Sequence, residues 1–99
     1  EVELKCSVAA VSRENGKYKV SVEIENTSSS LAFAVNPKII GNVSKDLILP
    51  VFWEDNYFAL LPGEKRQLKV EFSERDLNNE KPVFAIDGWN IKKAEKEIK

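Results

Sequence analysis

The sequence predicts an all-β protein, an antiparallel two-sheet sandwich of about seven strands. Three observations point to it. Apolar and polar residues alternate over most of the chain, the period of a strand with one buried face. Turn signals recur roughly every 8–12 residues. No stretch carries the 3.6-residue apolar spacing of an amphipathic helix of useful length.

Val2, Leu4, Cys6 and Val8 alternate with Glu3, Lys5 and Ser7, which predicts the first strand. The register blurs at Ala9-Ala10-Val11, where a bulge or a change of face is expected. Asn15-Gly16 then lies between two alternating runs, the strongest short-range hairpin signal. The next run is the cleanest: Tyr18, Val20, Val22 and Ile24 against Lys17, Lys19, Ser21, Glu23 and Glu25. Residues 26–30 read as a polar loop. Leu31 to Val35 is continuously apolar, the pattern of a strand covered on both faces, and Pro37 is expected to keep it out of the depth of a ladder.

A strand-like run from Leu47 to Trp53 leads into the polar residues Glu54-Asp55-Asn56. The apolar run Tyr57 to Leu61 ends at Pro62-Gly63, where proline presets its own φ and glycine accepts a positive one. Alternation restarts over Lys65 to Phe72. Ser73 to Asp76 fits one capped helical turn, Ser capping and Asp closing the box. Val83 to Ile86 is the last strong strand, and 92–99 reads as a charged tail, helical or frayed. The expected division is a sandwich over 1–91 and that tail. The expected core is Leu4, Cys6, Tyr18, Val20, Val22, Ile24, Phe33, Leu49, Val51, Leu68, Val70, Phe84 and Ile86, with Leu60 and Leu61 plugging the corner.

Composition narrows the function. The 99 residues suit one domain with one core. Fifteen basic against sixteen acidic residues give a net charge of −1, with no bias toward nucleic acid or an anionic membrane. No stretch approaches the roughly 18–20 apolar residues of a membrane span. Histidine is absent, which removes the commonest general base and metal ligand. The single cysteine, Cys6, excludes an internal disulfide and reads as a buried, inert thiol. Methionine is absent and the chain opens mid-strand, so a segment of something longer is expected.

The polar constellations have ordinary readings. Glu54 and Asp55 are neighbours in sequence, and neighbours at a strand end usually point in opposite directions, so poor geometry for a glycosidase pair is expected. Asp55 and Asn56 suit a loop held by side-chain to backbone bonds. Asp55, Asn56, Asp76, Asn78, Asn79 and Asp87 do not follow calcium-loop spacing, so neither metal nor cofactor is expected. Asn26-Thr27-Ser28 and Asn42-Val43-Ser44 match the glycosylation pattern. Trp53, Tyr57 and Trp89 are open to two roles, stacking on a sugar or packing in the core or against a neighbouring domain.

The stretch Leu49-Pro50-Val51-Phe52-Trp53-Glu54-Asp55-Asn56-Tyr57-Phe58-Ala59-Leu60-Leu61-Pro62-Gly63-Glu64 resembles the C-terminal immunoglobulin-like domain of family 2 glycoside hydrolases, of the exo-β-mannosidase and exo-β-glucosaminidase type. Asn26-Thr27-Ser28 followed by Leu31-Ala32-Phe33, and Gly88-Trp89-Asn90, resemble the same family. The resemblance implies an immunoglobulin-like fold, with Asp55, Asn56, Pro62 and Gly63 shaping the loop and corner. It implies that catalysis resides in a separate barrel, so no catalytic residue is expected here. It further implies packing against neighbouring domains of a secreted or periplasmic parent acting on β-mannosides or related sugars. The alternatives are a carbohydrate-binding module using surface aromatics on an oligosaccharide, or a stand-alone interaction domain with an exposed edge strand.

Overall fold

The computed structural model describes residues 2–48, 51–53 and 58–98, the side chains at 51 and 52 excepted. Among these residues eight strands run in order: β1 Leu4–Glu14, β2 Lys17–Asn26, β3 Ala32–Gly41, β4 Val51–Trp53, β5 Phe58–Leu60, β6 Lys65–Ser73, β7 Pro82–Gly88 and β8 Ile91–Glu97. Sheet I has the order β1-β2-β6-β4 and sheet II the order β5-β3-β7-β8. Every paired strand is antiparallel to its neighbour. The predicted sandwich is present.

The β1–β2 hairpin turns at Asn15 (φ 51°) and Gly16 (φ 76°), two left-handed residues in succession, as the primed turn of a tight hairpin requires. The alternation of β2 puts Tyr18, Val20, Val22 and Ile24 inward. In β6, Leu68, Val70 and Phe72 face the same way, and each pairs with one of the first three across the ladder. Tyr18 stacks on Phe72 with ring centroids 4.9 Å apart. Sheet II answers with Ala32, Val35, Ile39, Leu60, Phe84 and Ile86, all essentially unexposed. Trp53 meets Phe84 edge-on at 6.0 Å.

The chain changes sheets repeatedly, which ties the layers together. Val2 bridges to Ile91 of sheet II before β1 joins sheet I. Leu47 bridges to Ile40 of sheet II before β4 pairs with β6 in sheet I. The 3₁₀ turn Glu74–Leu77 carries the chain from β6 to β7 and buries Leu77. Return from β5 to β6 uses the corner at 61–64, where Gly63 has φ 78° and open space where a side chain would stand. The cost of a side chain there is therefore conformational. Gly63→Val is expected to lower stability by about 1–3 kcal/mol. An unchanged urea midpoint would show that the left-handed corner is not needed.

Several positions depart from expectation, each for a physical reason. Phe33 is 46% exposed rather than in the core. Between Ala32 and Val35 the ladder to β5 is irregular, and Ala34 has φ 49°. The extra residue turns both Ala32 and Val35 inward and sends Phe33 and Ala34 out. Leu61 is 60% exposed while Leu60 is buried, because consecutive extended residues point to opposite sides. Pro37 lies within β3, buried, opposite Ile86. It is tolerated because, among the described residues, the ladder to β5 has ended at Val35, leaving β3 a partner on one side only.

Cys6 is half-buried against the core rather than fully inside, and burial pushes its thiol up to about 11 against a small opposing effect of Lys96. Residues 92–97, part of the tail 92–99 expected to be helical or frayed, belong to β8 on the edge of sheet II. Ser73 precedes the 3₁₀ turn without a side-chain capping bond, so the box is not formed. Leu49 and the Val51 side chain lie outside the described residues. The expected bulge in β1 is present between Val8 and Ala10.

Candidate functional site

The structure separates the aromatic residues that the sequence groups together. Trp53 lies half-buried against Phe84 between the sheets. Trp89, on the turn between β7 and β8, is 82% exposed and meets Phe33 edge-on at 6.2 Å. Among the described residues no ring contact links the two tryptophans. Tyr57, Asp55 and Asn56 lie outside the described residues.

The end of the sandwich that carries Trp89 is built by two asparagines whose importance the sequence does not announce. Asn26 closes β2 and is fully buried. Its Nδ2 donates to Ser30 O at 2.7 Å and Leu60 O at 3.0 Å. Its Oδ1 accepts from Ser28 N at 3.0 Å and Ser28 Oγ at 2.6 Å. Its backbone N donates to Glu64 O, and its carbonyl accepts from Gly63 N at 2.7 Å. The side chain, with every donor and acceptor engaged, thus joins the loop after β2 to the end of β5, and the backbone of the same residue ties on the Gly63-Glu64 corner. In the folded domain Asn26 is no glycan acceptor, since its amide is committed. Asn42 of the second triplet is exposed and accepts from Lys81 N.

Asn90 does a similar job on sheet II. Its Oδ1 accepts from Phe33 N at 2.8 Å and its Nδ2 donates to Leu31 O at 2.7 Å. Trp89 N donates to Phe33 O at 3.3 Å, and Lys92 N donates to Val2 O at 2.8 Å. A Cβ at Gly88 would stand 2.9 Å from Ala34 O and 3.0 Å from Phe33 O, so glycine permits this close approach. Beside Trp89 runs an open groove of about 770 Å³, lined in part by Ala34, Asn36, Asp87, Lys92 and Lys93. Asp87 is engaged: Lys38 Nζ lies 2.5 Å from its Oδ2, and Asn36 Nδ2 donates to its Oδ1.

The other oxygen-bearing residues considered for metal have structural duties or none visible. Asn78 and Asn79 hold left-handed backbone (φ 50° and 66°) after the 3₁₀ turn. Among the described residues no three of His, Cys, Asp and Glu group as metal ligands would.

Two carboxylates brace turns. Glu64 accepts from Leu61 N at 2.9 Å and from Arg66 at 3.1 Å, and Arg66 also lies over the Phe58 ring. The Leu61 amide first, then Arg66, hold the Glu64 carboxyl below the usual carboxylate range. Glu80 accepts from Val43 N and Ser44 N at 2.9 and 2.8 Å, and the Ser44 and Val43 donors lower its pKa likewise. A carboxyl lowered by folding stabilises above its unfolded pKa, near 4.5, and loses that contribution as pH falls through the lower folded value. The double variant Glu64→Gln with Glu80→Gln is therefore expected to be less stable than the parent at pH 7. The gap should close as pH falls below about 4.5. Urea midpoints across that range check it; a gap constant with pH would contradict it.

Fold and site together define an immunoglobulin-like sandwich domain with an exposed aromatic pair and turns braced by Glu64 and Glu80. The chain belongs to the exo-β-D-glucosaminidase Ig-fold domain family, whose model matches residues 1–91. It is 36% identical over 83 residues to an exo-β-D-glucosaminidase of Amycolatopsis orientalis, covering 82% of this chain and 8% of that one. It is 35% identical over 75 residues to a mannosylglycoprotein endo-β-mannosidase of Lilium longiflorum, covering 70% of this chain and 8% of the relative. The crystal structure of the Amycolatopsis orientalis exo-chitosanase CsxA superposes with a TM-score of 0.89 at 29% identity, covering 99% of this chain and 12% of that one. The chain thus spans about a tenth of the length of the proteins it matches.

Proposed function

We propose that this domain serves a family 2 glycosidase as a packing module, and that the complete enzyme cleaves β-linked glucosaminides. The family match over residues 1–91 carries the reading. The Amycolatopsis and Arthroderma benhamiae relatives, at 36% and 32% identity, are both named exo-β-D-glucosaminidase. The β-mannosides that the resemblance put first give way on that ground to its related-sugar alternative; the mannosidase name belongs to the lily relative. A polymeric amino sugar as substrate favours a secreted or periplasmic enzyme.

The test is an assay of the full-length enzyme containing this chain on aryl β-glucosaminide and aryl β-mannoside. The glucosaminide is expected to be the better substrate by kcat/KM. A preference for the mannoside would overturn the substrate assignment.

A further inference from the structure

We propose that the outer face of sheet II around Phe33 and Trp89 is the seat of another domain of the same polypeptide, with Trp89 as its anchor and acidic groups on the incoming surface. This rests on the reading that the chain is one domain of a larger glycosidase.

The argument starts from β3. Leu31 to Val35 is continuously apolar, as in strands covered on both faces. One face is covered within the chain: Ala32 and Val35 are fully buried. The other is bare, with Phe33 46% and Trp89 82% exposed. The outer face of sheet I is different. Its ladders align Lys5 with Glu25 and Glu25 with Lys65, then Ser12 with Lys19 and Lys19 with Glu71. Those rows alternate in charge or polarity and suit water. Val43, Leu47 and Leu61 are exposed on loops and the corner, but the exposed aromatic pair, Phe33 and Trp89 in edge contact, belongs to sheet II and its β7–β8 turn.

That surface is also fixed in advance. Asn90 holds Leu31 and Phe33 from one side chain, Trp89 N bonds Phe33 O, and Gly88 lets the strands close up beneath. A large aromatic on a braced backbone, in edge contact with Phe33, brings much area for few rotatable bonds, which is what an interface anchor needs.

Charge and size identify the occupant. Lys92 and Lys93 line the groove beside Trp89, while Asp87, the one acid among its described lining residues, already faces Lys38. This cationic margin disfavours a protonated amino sugar and suits a protein surface rimmed with Asp or Glu. The matched exo-chitosanase devotes 12% of its length to this fold, so most of such a polypeptide lies elsewhere to supply that surface.

Hydroxyl-radical footprinting read by mass spectrometry reports each tryptophan separately. Trp89 is expected to be oxidised readily in the chain alone and to be protected several-fold in the full-length enzyme. Trp89→Ser should leave the melting temperature of the chain alone in place and lower that of the full-length enzyme. Equal oxidation of Trp89 in both would overturn the proposal while leaving the domain reading intact, provided the full-length enzyme still hydrolyses glucosaminide. Protection that requires glucosamine oligosaccharide, or protection in the chain alone by concentration-dependent dimerisation, would overturn it in favour of a sugar or a second copy.

Discussion

Asn26→Asp is expected to lower the stability of the chain by about 3–5 kcal/mol at pH 7, since buried polar groups lose their partners and a charge is buried. The amide donates to the carbonyls of Ser30 and Leu60. Carboxylate oxygens in its place face those carbonyls with no hydrogen to offer. For a domain of about 100 residues, whose whole stability is roughly 5–15 kcal/mol, that is a large fraction. The variant carries its own signature. The new carboxyl, desolvated beside two carbonyls, has its pKa raised, and acidification supplies a proton able to restore one donor. Its deficit should therefore shrink as pH falls, whereas the deficit of Asn26→Ala should stay level. Urea midpoints of both variants across pH decide it; a small deficit, independent of pH, would mean that Asn26 is not the clasp described here.

Phe84→Ala is expected to cost about 3–5 kcal/mol, the transfer free energy of the ring plus the cavity left behind. Phe84 is fully buried in β7, opposite Ile39 on the neighbouring strand, with Trp53 against its edge from the other sheet. It links the two layers at the middle of the core. Trp89→Ala is the internal control. A larger side chain is removed, but from an 82% exposed position, so the chain alone should lose no more than about 0.5 kcal/mol. Thermal or chemical denaturation of the two variants should separate them clearly. A Phe84 variant as stable as the parent would show that the sheets are not joined through this ring.

These contrasts show which parts of the molecule are legible in its sequence. Wherever one face is wet and the other dry, period-two alternation gives the strand directly, as from Tyr18 to Ile24 and from Leu68 to Phe72. Turns that depend on a left-handed residue are legible when glycine supplies it, as at Gly16 and Gly63. They are hidden when alanine does. Ala34 carries no sign of its φ of 49°, and the irregularity around it moves Phe33 from the expected core to the surface.

β8 is hidden for a different reason. Ile91 and Ala94 are its inward contacts, and its remaining positions are charged, as an edge strand exposed to water requires. The strand exists because β7 offers a ladder, which no local pattern records. The candidate site is less legible still. Trp53 and Trp89 look equivalent in sequence, yet one packs between the sheets and the other stands in solvent. Asn26 and Asn90 act through carbonyls distant in sequence, Leu60 at 34 residues and Leu31 at 59. The visible hint was limited to asparagines beside small polar or turn residues. Asp55, Asn56 and Tyr57 fall outside the described residues, and their assigned duties stay with the resemblance.

The central claim is that this chain contributes a folded surface to a glycosidase and no chemistry of its own. The most direct measurement is turnover of aryl β-glucosaminide by the purified chain, with its cooperative unfolding recorded on the same sample. The account predicts a folded protein and a rate indistinguishable from buffer. Hydrolysis that co-purifies with the chain and is lost on replacing one of its carboxylates would contradict it.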